Sequence, residues 1–275
     1  MPGHDIIVIG TSAGGVAALI ALVHEIPPDL PAAVFVVLHV PAETPSLLPD
    51  ILSRAGPLPV SHPTNGAPIE YGHIYVAPPD YHLLIEREYM QLVRGPKENR
   101  HRPAIDPLFR SAAGAYGQRV VGVILTGALN DGTAGLLAIK RSGGVAVIQD
   151  PAEALYASMP QSALQHVQID YQLQLAAMGP LLAKLAQERV IAKIPAVPED
   201  LGKEINVITI ETSFSNDKEA LDKPSGFSCP ECSGVLWEMP DQAFLRFRCR
   251  IGHALSAENV LWHKENKSRM HFGML

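Results

Sequence analysis

Three groups of residues in this chain carry side chains able to do chemistry. The first is Gly10-Thr11-Ser12-Ala13-Gly14-Gly15, directly after the aliphatic run Ile6 to Ile9. A serine on a strand-to-helix turn has its hydroxyl lifted above the sheet edge. The amides of the helix's first turn lack helical partners there and point at any oxyanion that forms. Gly10-x-Ser12-x-Gly14 also fits the Gly-x-Ser-x-Gly nucleophile elbow. Two other readings stand beside it. Serine is a favoured helix N-cap, and a glycine-rich turn can cradle phosphate. The dinucleotide fingerprint, however, needs glycine where Ser12 stands and an acidic residue closing the second strand, where this chain has His39.

The second group is His39 and Asp131, each following an aliphatic run, Ala33 to Leu38 and Arg119 to Leu125. In a parallel sheet the residues after each strand gather on the carboxyl edge, so a base and a carboxylate reach Ser12 from two other strands. The chain order differs from that of an ordinary α/β-hydrolase, which has strands before its elbow and runs Ser, Asp, His. The histidine that would restore that order, His166, lies in helical text with a solvated face.

The third group is Cys229-Pro-Glu-Cys232 with Cys249-Arg-Ile-Gly-His253. Three thiolates and an imidazole in two tight knuckles suit tetrahedral Zn2+, and four filled positions leave no place for a catalytic water, so the expected role is structural. The segments Gly234 to Met239 and Phe244 to Arg248, joined at Pro240-Asp241, read as two strands of a small zinc ribbon.

The elements that must position these groups alternate in type. Short aliphatic runs alternate with helical text from the start to about residue 189, the pattern of an α/β layered sheet. The expected fold is α/β, doubly wound, with a mainly parallel sheet and helices on both faces. In the first helix Val16, Leu19, Ile20 and Val23 fall at the spacing of one buried face. Ile74 to Val76, Tyr81 to Ile85 and Tyr89 to Val93 read as an antiparallel region. The chain divides into a catalytic domain over 1–190, a linker over 191–224 and the ribbon over 225–275. With all metal ligands beyond Lys223 and the triad candidates before Gly132, the two modules are expected to work independently.

Composition narrows the class. Of 275 residues, 47% are hydrophobic and 18% charged, enough apolar material for a well-buried interior. A formal charge of −6 supplies no field for phosphate backbones, which argues against nucleic-acid binding. No apolar run approaches the ~20 residues that span a bilayer. Membrane insertion is not expected, and a cytoplasmic, reducing location is.

The chain resembles the catalytic domain of the chemotaxis protein-glutamate methylesterases, the CheB family. The likeness rests on six motifs in order: Ile-Gly-Thr-Ser-Ala-Gly-Gly at 9–15, Val-Leu-His-Val-Pro at 37–41, Gly-His-Ile-Tyr-Val-Ala-Pro-Pro-Asp-Tyr-His-Leu at 72–83, His-Arg-Pro-Ala-Ile-Asp-Pro-Leu-Phe-Arg-Ser at 101–111, Gly-Val-Ile-Leu-Thr-Gly-Ala-Leu-Asn-Asp-Gly-Thr-Ala-Gly at 122–135 and Ser-Met-Pro-Gln-Ser-Ala at 158–163. It implies a serine hydrolase that demethylates glutamyl γ-methyl esters, and in some members deamidates glutamines, on cytoplasmic chemoreceptor helices. The implied roles are Ser12 as nucleophile, His39 as general base and acid, Asp131 as orienting carboxylate, and the backbone amides of Ala13 and Ala128 as oxyanion donors.

Arg102 and Met159 are the weaker substrate-binding candidates, Arg102 having a structural reading beside it, as has His82 beside a supporting role. His4, His24, His62, His73 and His101 read as ordinary flank and loop residues. The family's usual Thr-Gly-Met-Gly is Thr126-Gly127-Ala128-Leu129 here. Many members carry an N-terminal receiver domain and this chain begins at the first strand, so the expectation is either that it is not regulated in that way or that a separate receiver-domain protein or histidine kinase is its partner. These two departures support an alternative: a catalytically weak scaffold that binds a receptor or partner.

Overall fold

The computed structural model describes residues 3–190, 202, 204, 223–239 and 244–272. The strands of its first part are β1 (Ile6–Thr11), β2 (Ala33–Leu38), β3 (Val60–Ser61), β4 (His73–Val76), β5 (His82–Ile85), β6 (Met90–Val93), β7 (Val120–Ile124), β8 (Val145–Gln149) and β9 (Tyr171–Leu173). Seven of them form one sheet in the order β3-β4-β2-β1-β7-β8-β9, and every pairing in it is parallel. β5 and β6 stand apart as an antiparallel hairpin. The helices are α1 (Gly15–His24), α2 (Leu48–Ala55), α3 (Ile105–Tyr116), α4 (Thr133–Arg141), α5 (Ser158–His166) and α6 (Leu175–Gln187).

β1 lies between β2 and β7, which places the topological switch point at its carboxyl end. All six of its residues are buried. Ile6 and Val8 join a core with Leu108 and Phe109 of α3, Leu136 of α4 and Met159 of α5. Ile7 and Ile9 face the opposite core, with Leu19 of α1, Leu52 of α2 and Leu182 of α6. Helices on both faces explain why the central strands read as unbroken aliphatic runs. Each such side chain contributes roughly 1.5–3 kcal/mol on burial.

Two expectations change in detail. β4 belongs to the parallel sheet, paired with β2 and β3, so the antiparallel region is β5 and β6 alone. A run of four residues has no periodicity that separates parallel from antiparallel pairing. In α1 the buried face is Gly15, Ala18, Leu19, Leu22 and Val23, while Val16 and Ile20 are exposed. Small residues that permit close packing against the sheet displace the larger ones by one position.

The second part contains β10 (Lys223–Ser228), β11 (Val235–Glu238), β12 (Arg246–Cys249) and β13 (Ala254–Ser256), an antiparallel sheet in that order, followed by α7 (Ala257–Phe272). β11 and β12 are the two strands expected around Pro240-Asp241, a pair that itself lies outside the described residues. So does most of the expected linker, including the alternation from Ile205 to Ile210.

The two parts, expected from the sequence to work independently, touch each other directly. Glu204 is gripped by Arg246 of β12, at 2.6 and 2.8 Å, and lies 3.2 Å from Arg110 of α3. Arg110 also bonds both oxygens of Glu98 at 2.7 Å. The side chains of Glu98, Arg110, Arg246 and Arg248 are all nearly fully buried. Burial opposes the Glu204 charge, but Arg246 and Arg110 hold its carboxyl well below the usual range. Removing one member of such a set would strand a buried charge, which typically costs about 3–5 kcal/mol. Phe244 also packs edge-on against His166 of α5, with centroids 4.9 Å apart.

Candidate active site

Ser12 follows β1, His39 follows β2 and Asp131 precedes α4, all at the carboxyl edge beside the switch point. Ser12 Oγ lies 3.0 Å from His39 Nδ1, and His39 Nε2 lies 2.7 Å from Asp131 Oδ2. A carboxylate accepts only, so Nε2 carries the proton that it donates to Asp131, and Nδ1 is left as the acceptor for the Ser12 hydroxyl. The turn is built for this. Gly14 adopts φ 76°, a left-handed value that favours glycine, and it is Gly14 rather than Ser12 that occupies the N-cap of α1. Ser12 has no side-chain cap bond, so the capping reading of Ser12 falls away.

Asp131 is buried, which opposes its charge, yet bonds from His39, the Ile105 amide and Asn99 hold its carboxyl well below the ordinary range. The amides of Asp106 and Gly132 also donate to Oδ1, at 3.3 and 3.0 Å. Asp106, at the start of α3, shows the opposite behaviour: burial and the neighbouring Asp131 charge push its carboxyl up. A carboxylate kept ionised between a histidine and several amides is suited to stabilise an imidazolium.

The N–H groups of Ala13 and Ala128 have no hydrogen-bond partner among the described residues. They lie on two loops that Thr126 ties together. Its carbonyl accepts from the Ser12 amide and Thr11 Oγ1, and its hydroxyl donates to the Ala13 carbonyl and accepts from the Tyr156 amide. Gln149 completes the tie by accepting from the Thr126 amide at 2.9 Å. Leu129 adopts φ 63°, so the loop keeps a shape suited to glycine, at a strain of about 1–2 kcal/mol.

Met159 is fully buried, its sulfur against Gly127, where an added Cβ would also lie 3.1 Å from that of Ser12. It backs the loop that carries Gly127 and Ala128. Arg102 donates to Asp80 at 2.6 and 2.9 Å and to the Gly95 carbonyl at 2.8 Å. That geometry supports its structural reading. His82 is likewise a structural histidine: buried, bonded to the Pro96 carbonyl and the Ala104 amide, and pushed by burial to about 4.

His101, read from sequence as an ordinary loop residue, lies face to face with His39, ring centroids 3.6 Å apart and planes 6° from parallel. Burial and the His39 charge push it to about 3, so the ring is neutral. Asn99 was also missed. The available signal for both was the segment Lys97-Glu-Asn-Arg-His-Arg102, an unbroken block of polar residues without helical or strand periodicity ahead of α3.

Comparison with known proteins gives the family. The model of the CheB methylesterase family matches residues 7–182. The chain belongs to the CheB methylesterase family. A putative protein-glutamate methylesterase/protein-glutamine glutaminase from Leptospira interrogans is 38% identical over 188 residues, covering 68% of this chain and 97% of the relative. A Caulobacter vibrioides protein-glutamate methylesterase/protein-glutamine glutaminase is 37% identical over 193 residues, covering 69% of this chain and 56% of the relative. The Thermotoga maritima CheB methylesterase catalytic domain superposes with a TM-score of 0.64 at 31% identity, covering 66% of this chain and 98% of that one. The match to the CheB family model ends at residue 182, ahead of the C-terminal sheet of this CheB chain.

In that sheet Cys229, Cys232, Cys249 and His253 bring one ligand atom each to within 4.8 Å of one another. His253 Nδ1 lies 3.7 Å from Cys229 Sγ and 3.5 Å from Cys249 Sγ, and the Cys232 and Cys249 sulfurs are 3.6 Å apart. A tetrahedron with metal–sulfur bonds of ~2.3 Å and a metal–nitrogen bond of ~2.0–2.1 Å has edges of about 3.5–3.8 Å. The cluster therefore fits a metal of that size. Among the described residues no helix is long and apolar enough to cross a membrane.

Proposed function

We propose that this CheB-family chain hydrolyses glutamyl γ-methyl esters on the cytoplasmic helices of a methylated chemoreceptor, with Ser12, His39 and Asp131 as its triad. The observation that carries the reading is the continuous line Ser12 Oγ, His39 Nδ1, His39 Nε2, Asp131 Oδ2, with links of 3.0 and 2.7 Å. As the Ser12 oxygen attacks the ester carbonyl, its proton passes to Nδ1. The tetrahedral oxyanion lies against the unpartnered amides of Ala13 and Ala128, each such donor typically being worth about 2.7–4 kcal/mol of barrier. Collapse breaks the bond to the methoxy group, which leaves as methanol with the proton from Nδ1. Water then gives a proton to Nδ1 and attacks the acyl-Ser12 ester, releasing the glutamate carboxylate and regenerating Ser12. A glutamine side chain entering the same site would lose ammonia in place of methanol.

A helical substrate needs an apolar platform beside the cleft. Leu155 and Tyr156, both exposed, flank the Ser12 turn, with Leu155 against Gly14 and the Tyr156 carbonyl accepting from the Gly127 amide. The Cys229, Cys232, Cys249 and His253 cluster is proposed to hold a structural Zn2+, because a full Cys3His set leaves no open position. The chain is further proposed to act in the cytoplasm.

The test is methanol release from a methylated receptor fragment. Wild type is expected to release methanol and Ser12→Ala is not. Absence of methanol with both proteins, with receptor binding retained, would favour the scaffold reading.

A further inference from the structure

A carboxylate that orients a catalytic histidine must itself be held. Asn99 donates both protons of its amide nitrogen to acids, to Asp131 Oδ1 at 2.9 Å and to Asp106 Oδ2 at 3.0 Å. The amide oxygen of Asn99 accepts from the Ser256 backbone at 3.1 Å and from Asn259 Nδ2 at 3.4 Å, both in the C-terminal module. Asn130, next to Asp131 in the chain, is held by the same two residues. Its side-chain oxygen accepts from Ser256 Oγ at 2.7 Å and Asn259 Nδ2 at 2.8 Å, and its nitrogen donates to Glu258 at 2.6 Å. All these groups except Glu258 are buried. Backbone bonds add to the contact: the Asn99 amide donates to the Ala254 carbonyl at 2.8 Å and the Ala254 amide to the Lys97 carbonyl at 3.3 Å.

An asparagine amide has two ends that differ in hydrogen-bonding sense, and its orientation is set by its partners. Donors from Ser256, the last residue of β13, and from Asn259 in α7 fix the oxygen of Asn99 on one side and so turn its nitrogen toward the two acids. Without them the amide oxygen is left buried with no donor, and the nitrogen is held in line with Asp131 by the acids alone.

We propose that the C-terminal module is a positioning element of the triad: Ser256 and Asn259 orient Asn99, and Asn99 holds Asp131 in line with His39. Neither Ser256 nor Asn259 is a member of the triad, and their effect passes through Asn99. The proposal rests on the esterase reading of Ser12, His39 and Asp131.

The test uses the full chain, the double variant Ser256→Pro/Asn259→Ala, in which the proline removes the backbone donor to Asn99 and the alanine the side-chain donor, and, separately, Asn99→Asp, which keeps the acceptor toward Ser256 and removes the donor toward the acids. Three readouts are compared with wild type: the rate at which a fluorophosphonate labels Ser12, the downfield proton resonance of the His39–Asp131 hydrogen bond, and kcat and KM for methanol release. The expected result is labelling slower by roughly tenfold or more, a shifted or lost resonance, and a lower kcat at nearly unchanged KM. Should Asn99→Asp not fold, the double variant decides alone. Wild-type labelling and an unshifted resonance would overturn the proposal, including the case in which only the melting temperature falls. A wild-type chain whose Ser12 resists labelling would overturn the esterase reading itself, and the positioning role with it.

Discussion

The imidazoles of His39 and His101 are stacked at 3.6 Å with planes 6° from parallel, so the proposed general base is held by a ring as well as by hydrogen bonds at both nitrogens. The His101 ring is neutral at working pH. During turnover it therefore meets the His39 imidazolium as an uncharged aromatic face. His101→Phe keeps that face and should keep most of the activity. His101→Ala opens space beside His39 and should lower kcat roughly tenfold, a loss of alignment rather than of binding. Steady-state kinetics on a methylated receptor check this, and an unchanged kcat in His101→Ala would remove the stacking from the account.

Leu129 holds a left-handed backbone on the oxyanion loop. Leu129→Gly should raise stability by up to ~1 kcal/mol, because relief of strain outweighs the added freedom of the unfolded chain. Leu129→Ala keeps the left-handed strain and should be no more stable than wild type. Urea melts of the three proteins distinguish these outcomes.

The metal cluster gives a prediction that reverses the expectation of independent modules. One zinc per chain is expected, lost in Cys249→Ser. Because small metal modules rely on their metal for order, that loss should loosen the sheet carrying Ser256 and Asn259. Hydrolysis should then fall, by roughly the tenfold or more expected when Asp131 loses its support. Metal analysis and methanol release on the same preparations check both halves.

His82 is buried and pushed to about 4, below the ~6.5 of an unfolded histidine. The unfolded chain therefore binds this proton first, and stability attributable to His82 is intact above pH ~6.5 and is lost as pH falls toward 4, by on the order of 3 kcal/mol. Asp106, pushed up, acts in the opposite sense over the same range, so wild type alone is a mixed signal. His82→Asn removes one contribution. Its stability should fall less steeply than that of wild type between pH 6.5 and 4 in chemical denaturation at each pH.

Much of the site was legible because the chemistry sits next to the strands. Ser12, His39 and Asp131 each follow an aliphatic run, and parallel strands put such residues on one edge whatever the connecting helices do. Asn99 and His101 were not legible for the complementary reason. They lie in an irregular segment, Asn99 at φ 46°, whose course is set by tertiary contacts with Asp131, His39 and Ala254. The Cys229, Cys232, Cys249 and His253 cluster was legible from spacing alone, whereas the docking of its module was not. That docking depends on Glu204 and Arg110, residues far apart in sequence whose burial as ions no local pattern announces.

The central claim is that Ser12 forms a covalent bond to the substrate's glutamyl group while His39 shuttles the proton. It is tested most directly by mixing the chain with methylated receptor, quenching in acid during the first turnovers, and mapping peptides by mass spectrometry. The account predicts a glutamyl ester on the peptide containing Ser12, with matching methanol, and neither in Ser12→Ala. Methanol release that persists in Ser12→Ala, with no adduct at Ser12 in wild type, would contradict it.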